Sequence, residues 1–486
     1  MHKHSSTSRS QATHFSISLL PRTAADGFRM GQALQKHGKN EEAAVCYQRS
    51  LALDPSDLQL WNRIGGAFKE LGLPQHAVFC YRHIVDRVPN IAEASACLGS
   101  ALREMGSYEE AAACFRRALK LQPENASFHN SLGVVLRELD LIDEAVAHYR
   151  RALLLQPENA NARWNLALVQ LLEGDFAEGW GNYEARWQRD NAPCNFPQPL
   201  WRGQPLGGAR ILLHAEQGLG DNIQFLRFVP QVEALGGKVI LALPPSQHTL
   251  AAQLAGLSSI TFATTPPQPF DWHCPLMSLP MALGITLDTI PARVPYLSVP
   301  DQARTRAASL PWPARGLRIG LAWSGNPEHP YNRFRSIPLA RFQPLLQLGG
   351  AHFFSLQMGK AAAQLEPWRR RIADLAPATH DMADTAAQME QLDLVITVDT
   401  LAAHLAGALG FPVWLLLPFA ADWRWMRHRY DSPWYPTMRI FRQSEPGNWQ
   451  PVIDRLRSEL AALTEKGFPP MREELVHSAR LWPVAS

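Results

Sequence analysis

The chain has 486 residues, 46% of them hydrophobic, and its 47 Lys and Arg residues nearly balance 44 Asp and Glu residues, which leaves a formal net charge of +3. This length predicts about two to four domains, each with its own core, and it excludes a small disulfide scaffold. The balanced charge gives no overall attraction to nucleic acid or anionic lipid, and no apolar stretch reaches the roughly 18 residues that a membrane helix needs.

Residues 1–24 are polar and are predicted to be a flexible N-terminal tail. They contain no apolar segment followed by a cleavage site, so we expect no secretory signal and a cytoplasmic location. No pair of cysteines has the C-x-x-C spacing, so the sequence does not support a zinc ribbon or a thioredoxin-type motif.

Residues 25–190 repeat with a period of 34. Proline, a small residue and an aromatic residue each recur at this spacing: Pro55, Pro89, Pro123 and Pro157; Gly31, Gly65, Gly99 and Gly133; Tyr47, Tyr81, Phe115, Tyr149 and Tyr183. This is the tetratricopeptide repeat (TPR) pattern, and it predicts an all-α solenoid of four full repeats and a partial fifth.

Each recurring residue has a structural reason. A small residue lets the two helices of a repeat approach closely, an aromatic ring fills the gap between repeats, and Gly38, Gly72 and Gly106 end first helices in the left-handed conformation. Stacked repeats form a groove that binds peptides or proteins. Polar residues on first helices are candidates for partner contacts, with plain solvent exposure as the alternative: Asn62, Arg63, Asn130, Arg163 and Asn165.

Residues 191–208 are rich in proline and glycine and are predicted to be a linker. Strand and helix patterns then alternate, with strands expected at 210–214, 238–244, 258–264, 316–325, 352–357, 393–399 and 412–418. This alternation predicts two Rossmann-like halves, 209–300 and 317–445, which are joined by a linker at 301–316. A closing helix at 446–466 and a C-terminal tail at 467–486 complete the prediction.

Several common enzyme motifs are missing from the α/β region. The GLGD turn at 218–221 lacks the third glycine of a dinucleotide fingerprint, and the sequence has no phosphate-binding P-loop, no G-x-S-x-G elbow and no H-E-x-x-H zinc site. These absences argue against an oxidoreductase, a P-loop kinase and a serine hydrolase.

Three segments carry a resemblance to a known family. GLGDNIQFLRFVP, NRFRSIPL and ITVDTLAAHLAGALGFPVWLL resemble the corresponding segments of the glycosyltransferase family 9 heptosyltransferases. The last segment matches their donor-site pattern at Asp399, Thr400, His404, Ala406, Ala408 and Pro412. The resemblance covers roughly residues 205–465, and the fusion to repeats is similar in layout to the O-linked N-acetylglucosamine transferases. Two positions depart from the family, because Leu401 replaces a small glycine and Arg335 replaces lysine.

The resemblance implies a GT-B fold and an inverting, metal-independent transfer of a sugar from a nucleotide-diphosphate donor, without a cofactor. It makes Asp221 the first candidate for the catalytic base, on a loop with Gly218 and Gly220. His214 and Glu216 are the reserve candidates. The alternative for Asp221 is a capping role, in which its carboxylate accepts the free backbone amides at a helix start.

The donor site is expected around the second half. Arg335 is the candidate diphosphate clamp with Arg333 behind it, because an arginine fork binds phosphate in a bidentate manner. Asp399 and Thr400 lie at a predicted helix N-terminus, which favours anions, and His404 lies one helical turn further on. A surface ion pair for Arg335 and a buried structural role for His404 are the alternatives. Ser324, Gly325 and Asn326 are expected to line the donor pocket.

Residues 422–436 interleave tryptophans with arginines. Such a run occurs in proteins that bind single-stranded nucleic acid, but stacking on a sugar or nucleobase, or packing between the halves, is favoured here. The primary hypothesis is therefore a glycosyltransferase whose repeats recruit a protein or glycan-precursor acceptor. The alternative is a non-catalytic scaffold that retains the α/β fold, which Leu401 favours.

Overall fold

The computed structural model describes residues 21–189, 196–262, 269–329 and 331–466. The chain divides between Ala162 and Arg163 into two units. This boundary lies inside the predicted fifth repeat, whereas the sequence pattern placed the end of the repeats at residue 190. Apart from residues 21–24, the predicted terminal tails lie outside the described residues.

The first unit consists of paired repeat helices joined by short turns. Its helices are α1 (Ala24–Lys36), α2 (Asn40–Leu53), α3 (Leu58–Glu70), α4 (Pro74–Arg87), α5 (Ala92–Met105), α6 (Tyr108–Leu121), α7 (Ala126–Glu138) and α8 (Ile142–Leu155). The predicted helix ends are confirmed, because Gly38, Gly72 and Gly106 have φ angles of 74°, 71° and 83°. Asp140 takes the same left-handed conformation at the equivalent position.

The small residue and the aromatic residue of each repeat meet inside the helix pair. A β-carbon on Gly31 would lie 2.5 Å from the ring of Tyr47, and one on Gly133 would lie 2.6 Å from the ring of Tyr149. Both tyrosines are fully buried. The ring of Tyr47 also packs on Phe68 of the following repeat, with centroids 5.8 Å apart. The aromatic residue therefore fills the gap between repeats, as the periodicity predicts.

Neighbouring repeats are joined by the same polar bonds at successive junctions. Arg82 pairs with Glu110 at 2.6 Å, and Arg116 pairs with Glu144 at 3.1 Å, one period further along. These pairs are about half exposed, and exposed ion pairs stabilise by less than about 1 kcal/mol. The buried aromatic contacts therefore contribute most of the stability of the stack.

Helix α9 (Ala160–Glu173) contains the boundary between the units. The second unit continues with α10 (Phe176–Tyr183), α11 (Arg186–Arg189), α12 (Leu219–Phe225), α13 (Val229–Ala234), α14 (His248–Ala251), α15 (Leu279–Ala282), α16 (Asp301–Ala308), α17 (Asn332–Arg335), α18 (Gln343–Leu346), α19 (Met382–Met389), α20 (Leu401–Ala408) and α21 (Gln450–Lys466). Its strands are β1 (Arg210–His214), β2 (Lys238–Leu243), β3 (Leu257–Phe262), β4 (Trp272–Pro275), β5 (Leu317–Ala322), β6 (Ala351–Ser355), β7 (Ile372–Asp374), β8 (Leu394–Val398), β9 (Val413–Leu417) and β10 (Met438–Arg442).

The strands form two parallel sheets with the same topology. The first sheet has the order β3-β2-β1-β4, and the second has the order β10-β9-β8-β5-β6-β7. In each sheet the chain starts in the middle, moves outward to one edge and then returns to the other side of its first strand. The strand order therefore reverses beside β1 and beside β5, and open α/β sheets bind ligands at such reversal points.

The second sheet and the helices packed on it share a large apolar core. Its strands contribute Ile319, Ile396 and Trp414, and the closing helix α21 buries Ile453 and Leu456 against them. The predicted helix at the end of the chain is thus present, and it covers the second sheet.

Three strands and several helices of the α/β region, among them α16, were not predicted from the sequence. Strands β4, β7 and β10 complete the two sheets. Helix α16 occupies the predicted linker 301–316, where Arg304 and Arg306 pair with Glu390 and Asp384. The described part of the other predicted linker is also ordered against the fold, because Leu200 pairs with His273 of β4 and Trp201 is buried.

Candidate functional site

The loops that follow β1, β5, β8 and β9 bring charged side chains from both sheets together. Each loop leaves the carboxyl end of its strand, so the four loops gather at the edges where the strand order reverses. The side chains at the centre of this site are Asp221, Arg335, Asp399, Asp422 and Arg424.

Asp221 is the third residue of α12, and both of its carboxylate oxygens accept hydrogen bonds. The amide of Gly218, just before the helix, donates to Oδ2 over 2.8 Å. Nη2 of Arg424 donates to Oδ1 over 2.6 Å. The helix starts at Leu219, so Asp221 caps the helix from within its first turn. The predicted capping role is therefore present together with an ion pair to the second half.

Arg424 lies on the loop after β9 and is 7% exposed. Besides Asp221, it donates from Nη1 to Asp422 over 2.8 Å and from Nε to the side chain of Gln224 over 2.8 Å. Its guanidinium lies 4.3 Å from the ring centre of Trp423. Burial opposes the charge, but the carboxylates of Asp422 and Asp221 outweigh burial and raise the pKa of Arg424. The side chain is thus a permanently charged bridge between the two sheets.

The start of α20 packs directly on the start of α12. A β-carbon on Gly220 would lie 2.8 Å from Cδ2 of His404 and 3.6 Å from Cα of Leu401. Nδ1 of the buried His404 ring and the Tyr435 hydroxyl share a hydrogen bond of 3.0 Å, and the ring stacks on Trp425. Burial, reinforced by Arg424, Arg227 and Arg335, lowers the pKa of His404 well below its usual value. His404 is therefore a neutral imidazole at the junction of the halves.

Arg335 and Asp399 lie close to each other in the part of the site that the second sheet contributes. Nη1 of Arg335 lies 3.9 Å from the Asp399 carboxylate, which is an ion pair without a hydrogen bond. Within the described chain, the buried Nε of Arg335 has no hydrogen-bond partner. Burial raises the pKa of Asp399 to about 6, with a further contribution from the Asp422 carboxylate. Arg335 is thus held beside Asp399 without a direct hydrogen bond between the two side chains.

Glycine at position 325 makes room for this arginine. A β-carbon there would lie 2.8 Å from Nη2 of Arg335 and 2.8 Å from the side chain of Asn332. The neighbouring Ser324 shares a hydroxyl contact of 3.1 Å with Ser336, and its amide donates to Gln357 over 2.8 Å. Asn326 is exposed and accepts the amide of Glu328 at 3.0 Å. Of the predicted pocket residues, Gly325 is the one in closest contact with Arg335.

The remaining donor-site candidates differ in their surroundings. Thr400 precedes α20 as its N-terminal capping residue, and its hydroxyl lies 3.1 Å from that of Thr397. Arg333 is exposed, and its guanidinium lies 4.5 Å from the ring centre of Phe334. The structure therefore brings Thr400 next to Asp399, while Arg333 lies on the surface.

The two reserve candidates for the base are engaged in buried contacts. Nε2 of His214 lies 3.2 Å from Nδ1 of His273, and burial, with help from His273 and Arg186, lowers the pKa of His214 to about 3. Glu216 accepts three hydrogen bonds from Arg186, the shortest at 2.9 Å, and burial raises the pKa of Glu216. His214 is 2% exposed and Glu216 is 8% exposed, so both side chains are enclosed by protein.

The candidate groove residues lie on the first helices of their repeats, as predicted. In the first unit, Asn62 is exposed, Arg63 lies 4.1 Å above the ring of Phe28, and Asn130 is half-buried. Arg163 and Asn165 are half-buried on α9 of the second unit.

The tryptophan-rich run 422–436 is a packing element. Trp423, Trp425 and Trp434 are at most 3% exposed, so they are not available to stack on a base or a sugar. Trp423 packs on Trp180 of α10, with centroids 5.3 Å apart. The role of Arg424 within this run was not predicted from the sequence. Its place on the loop after β9 puts it at the carboxyl edge of the second sheet, but no signal in the sequence indicates its contact with Asp221.

Within the described ranges, no group of three or more His, Cys, Asp and Glu side chains is arranged to hold a metal ion. In the same part of the chain, no helix is both long enough and apolar enough to cross a membrane.

Comparisons with known proteins identify the repeats. Models of the tetratricopeptide repeat match residues 28–57, 98–153 and 135–174. The prediction of TPR repeats at the N-terminus is therefore confirmed, and such repeats indicate protein–protein interaction.

One relative extends the similarity beyond the repeats. The chain is 29% identical to protein FlbA of Caulobacter vibrioides, in an alignment that covers 60% of this chain and 54% of FlbA. The chain thus spans about half the length of that relative.

Solved structures that resemble part of the chain include TPR proteins. TTC0263 of Thermus thermophilus, a thermophilic TPR protein, is 24% identical, with a TM-score of 0.29, and the match covers 34% of this chain and 90% of that one. MamA of Desulfovibrio magneticus RS-1 is 19% identical, with a TM-score of 0.30 and coverages of 35% and 94%. YrrB, a TPR protein with an unusual peptide-binding site, is 17% identical, with a TM-score of 0.28 and coverages of 35% and 88%. None of these names refers to glycosyl transfer.

Proposed function

We propose that the α/β region is a nucleotide-sugar-dependent glycosyltransferase of GT-B architecture that inverts the anomeric carbon without a metal ion. In this proposal the repeats recruit the acceptor, which is a protein or a glycan precursor. The donor is a nucleotide-diphosphate sugar, and no further cofactor takes part.

The observation that carries the proposal is the meeting of an acidic loop from the first sheet with a cationic, amide-rich loop from the second. Gly220, beside Asp221, contacts the Leu401–His404 segment, and Asp399 at the start of that segment faces Arg335 at 3.9 Å. Asp221 and Arg335 thus lie beside one junction. A direct displacement at a sugar carbon needs a base for the acceptor and a group that binds the leaving diphosphate, and the proposal gives these roles to Asp221 and Arg335.

The residues present can supply each part of such a reaction. The Asp221 carboxylate takes the proton of the acceptor hydroxyl, and the acceptor oxygen forms a bond to the anomeric carbon from the face opposite the leaving group. The bond from that carbon to the phosphate oxygen breaks, and its electron pair stays on the diphosphate. Arg335 and the amides at the start of α20 stabilise this negative charge.

The topology of the second sheet is consistent with a nucleotide site beside Arg335. Its strand order reverses beside β5, and the loop after β5 contains Gly325 and approaches Arg335 without a side chain between them. The Arg335 side chain is 18% exposed, so a ligand oxygen can reach the guanidinium at its exposed end. We expect the diphosphate to bind at this position.

The proposal is tested by nucleotide binding followed by turnover. Purified protein is screened by thermal shift against ADP, GDP, UDP and CDP, since a ligand that binds only the folded state raises the melting temperature. The matching nucleotide sugars are then assayed for release of nucleotide. We expect Arg335→Met to abolish the thermal shift and Asp221→Asn to abolish turnover while the shift remains. Arg429→Met, which removes an arginine paired to the exposed Asp431, is the matched control.

A specific observation favours the alternative, a non-catalytic scaffold. Both oxygens of Asp221 already accept hydrogen bonds, and Leu401 stands where the resembling family has glycine. If no nucleoside diphosphate shifts the melting temperature and no nucleotide sugar is consumed, the scaffold is the better description. The repeats would then bind partners, and the α/β region would serve as their platform.

A further inference from the structure

One arginine binds acidic side chains from both halves of the α/β region. Arg424 belongs to the second half, and its hydrogen bonds of 2.6 Å to Asp221 and 2.8 Å to Asp422 join residues that are 201 positions apart in the chain. A third bond of 2.8 Å runs from Nε to Gln224. All three nitrogens of the guanidinium are therefore engaged.

The arginine holds α12 at two points. Asp221 and Gln224 lie three residues apart on this helix, and so on the same face. Because the guanidinium is planar and its donors point in fixed directions, two bonds to one helix restrict its rotation as well as its translation. The bond to Asp422 then fixes the same helix relative to the loop after β9.

A cluster of packed tryptophan rings holds the Arg424 side chain in place. Its guanidinium lies 4.3 Å from the ring centre of Trp423, and that ring is 3% exposed. Trp423 packs on Trp180 and on Trp434, with centroids 5.3 Å and 6.2 Å apart. A side chain anchored in such a core can impose its geometry on the helix that it binds.

We propose that Arg424 is a positioning residue, which holds the carboxylate of Asp221 in register with Asp422 of the opposite half. The role of this placement in catalysis rests on the proposed function. The placement of Asp221 by Arg424 does not. Arg424 acts through Asp221, so its loss should impair the chemical step more than donor binding, to which Arg335 and the start of α20 contribute.

The test compares Arg424→Met with Arg424→Lys and with the control Arg429→Met in the full chain. Hydrogen exchange of the amides in residues 215–225 is measured first, because it needs no substrate. We expect at least a tenfold faster exchange of this segment in Arg424→Met and an intermediate effect in Arg424→Lys, which keeps the charge but not the fork. Unchanged exchange in both variants would overturn the proposal.

Kinetics then separate positioning from a general loss of structure. With the nucleotide sugar found by the screen described above, we expect kcat of Arg424→Met to fall at least tenfold while the donor KM stays within twofold. An unchanged kcat, or a KM that rises in proportion, contradicts positioning. If the wild type neither binds nor consumes any nucleotide sugar, the proposed function fails. The exchange measurement still tests whether Arg424 holds Asp221 and α12 in place.

Gln224→Met provides a second variant if Arg424→Met does not fold. Nε2 of Gln224 is buried and has no partner among the residues described, so methionine removes only the contact with Arg424. We expect faster exchange of residues 215–225 and a several-fold lower kcat. A variant with wild-type values of both would refute the idea that Arg424 holds α12 at two points.

Discussion

The imidazole of His404 lies against Gly220 so closely that a β-carbon on residue 220 would stand 2.8 Å from its Cδ2 atom. The ring is buried and is held on its other side by the Tyr435 hydroxyl and by Trp425. It therefore has little freedom to move aside. The glycine of the GLGD turn is needed here for the close approach of α12 to α20.

This contact predicts that Gly220→Ala separates the two halves. The added methyl group cannot be accommodated without moving His404 or α12, and overpacking of this kind costs about 1–3 kcal/mol. We expect a lower free energy of unfolding and weaker binding of any nucleoside diphosphate, measured by urea unfolding and by titration.

Gly181→Ala is the matched control. Gly181 lies on α10, and nothing is within 4 Å of the place its β-carbon would occupy. Alanine should stabilise that helix by up to about 1 kcal/mol. Equal effects of the two substitutions would refute the steric reason given for Gly220.

The buried pair Arg186–Glu216 predicts a large loss of stability when one partner is removed. The side chains are 5% and 4% exposed and lie 2.9 Å apart. Glu216→Leu leaves Arg186 with Glu184 as its remaining acidic partner, and breaking a buried pair in this way costs about 3–5 kcal/mol. We expect a decrease of this size, towards its lower end, in the free energy of unfolding measured with urea.

The double variant Arg186→Met, Glu216→Leu tests the electrostatic cause. Replacing both partners by apolar residues leaves no uncompensated charge at the pair, so a large part of the stability should return. Arg429→Met, which breaks the exposed pair with Asp431, should cost less than about 1 kcal/mol. A double variant as unstable as Glu216→Leu would argue that packing and not charge is responsible.

The repeats could be predicted because each of their positions has a local partner. Gly31 meets Tyr47 only 16 residues away, and the same pair recurs one period later in each repeat. Strands such as β8 and β9 were also predictable, since they are continuous apolar runs. In contrast, β7 has three residues at the edge of its sheet, and β10 follows a run dominated by arginine and tryptophan.

The site could be predicted only in part, for a related reason. A sequence pattern shows that Asp221 and Asp399 follow strands, and hence that they lie at the carboxyl edges of their sheets. It gives no distance between side chains of different sheets, so the bond from Arg424 to Asp221 was not foreseeable. For the same reason, Glu216 could be proposed as a candidate base although Arg186 binds it in the fold.

The lowered pKa of His214 predicts that the protein loses stability in acid. Its pKa is lowered by burial, and further by His273 and Arg186, to about 3 in the fold, against about 6.5 in an unfolded chain. Between these values the unfolded state binds the extra proton, so stability falls as the pH falls through this window. His214→Leu should be less sensitive, and the difference from wild type should change by about 1.4 kcal/mol per pH unit from pH 6 to pH 4. Urea unfolding at several pH values measures this slope, and a difference that does not vary with pH would contradict it.

The raised pKa of Asp399 predicts the opposite dependence of stability on pH. Burial and the Asp422 carboxylate raise its pKa to about 6, so the folded state retains a proton that the unfolded state has already lost above pH 4. The contribution of Asp399 to stability therefore falls as the pH rises from 4 to 6. Asp399→Asn removes this dependence, and relative to wild type it should gain up to roughly 3 kcal/mol by pH 7 but little at pH 4. Urea unfolding at pH 4.5 and pH 7.5 measures the gain, with Asp431→Asn on the exposed surface as the control. A gain that is the same at both pH values would mean that the Asp399 carboxylate is not held in the proton-retaining surroundings described here.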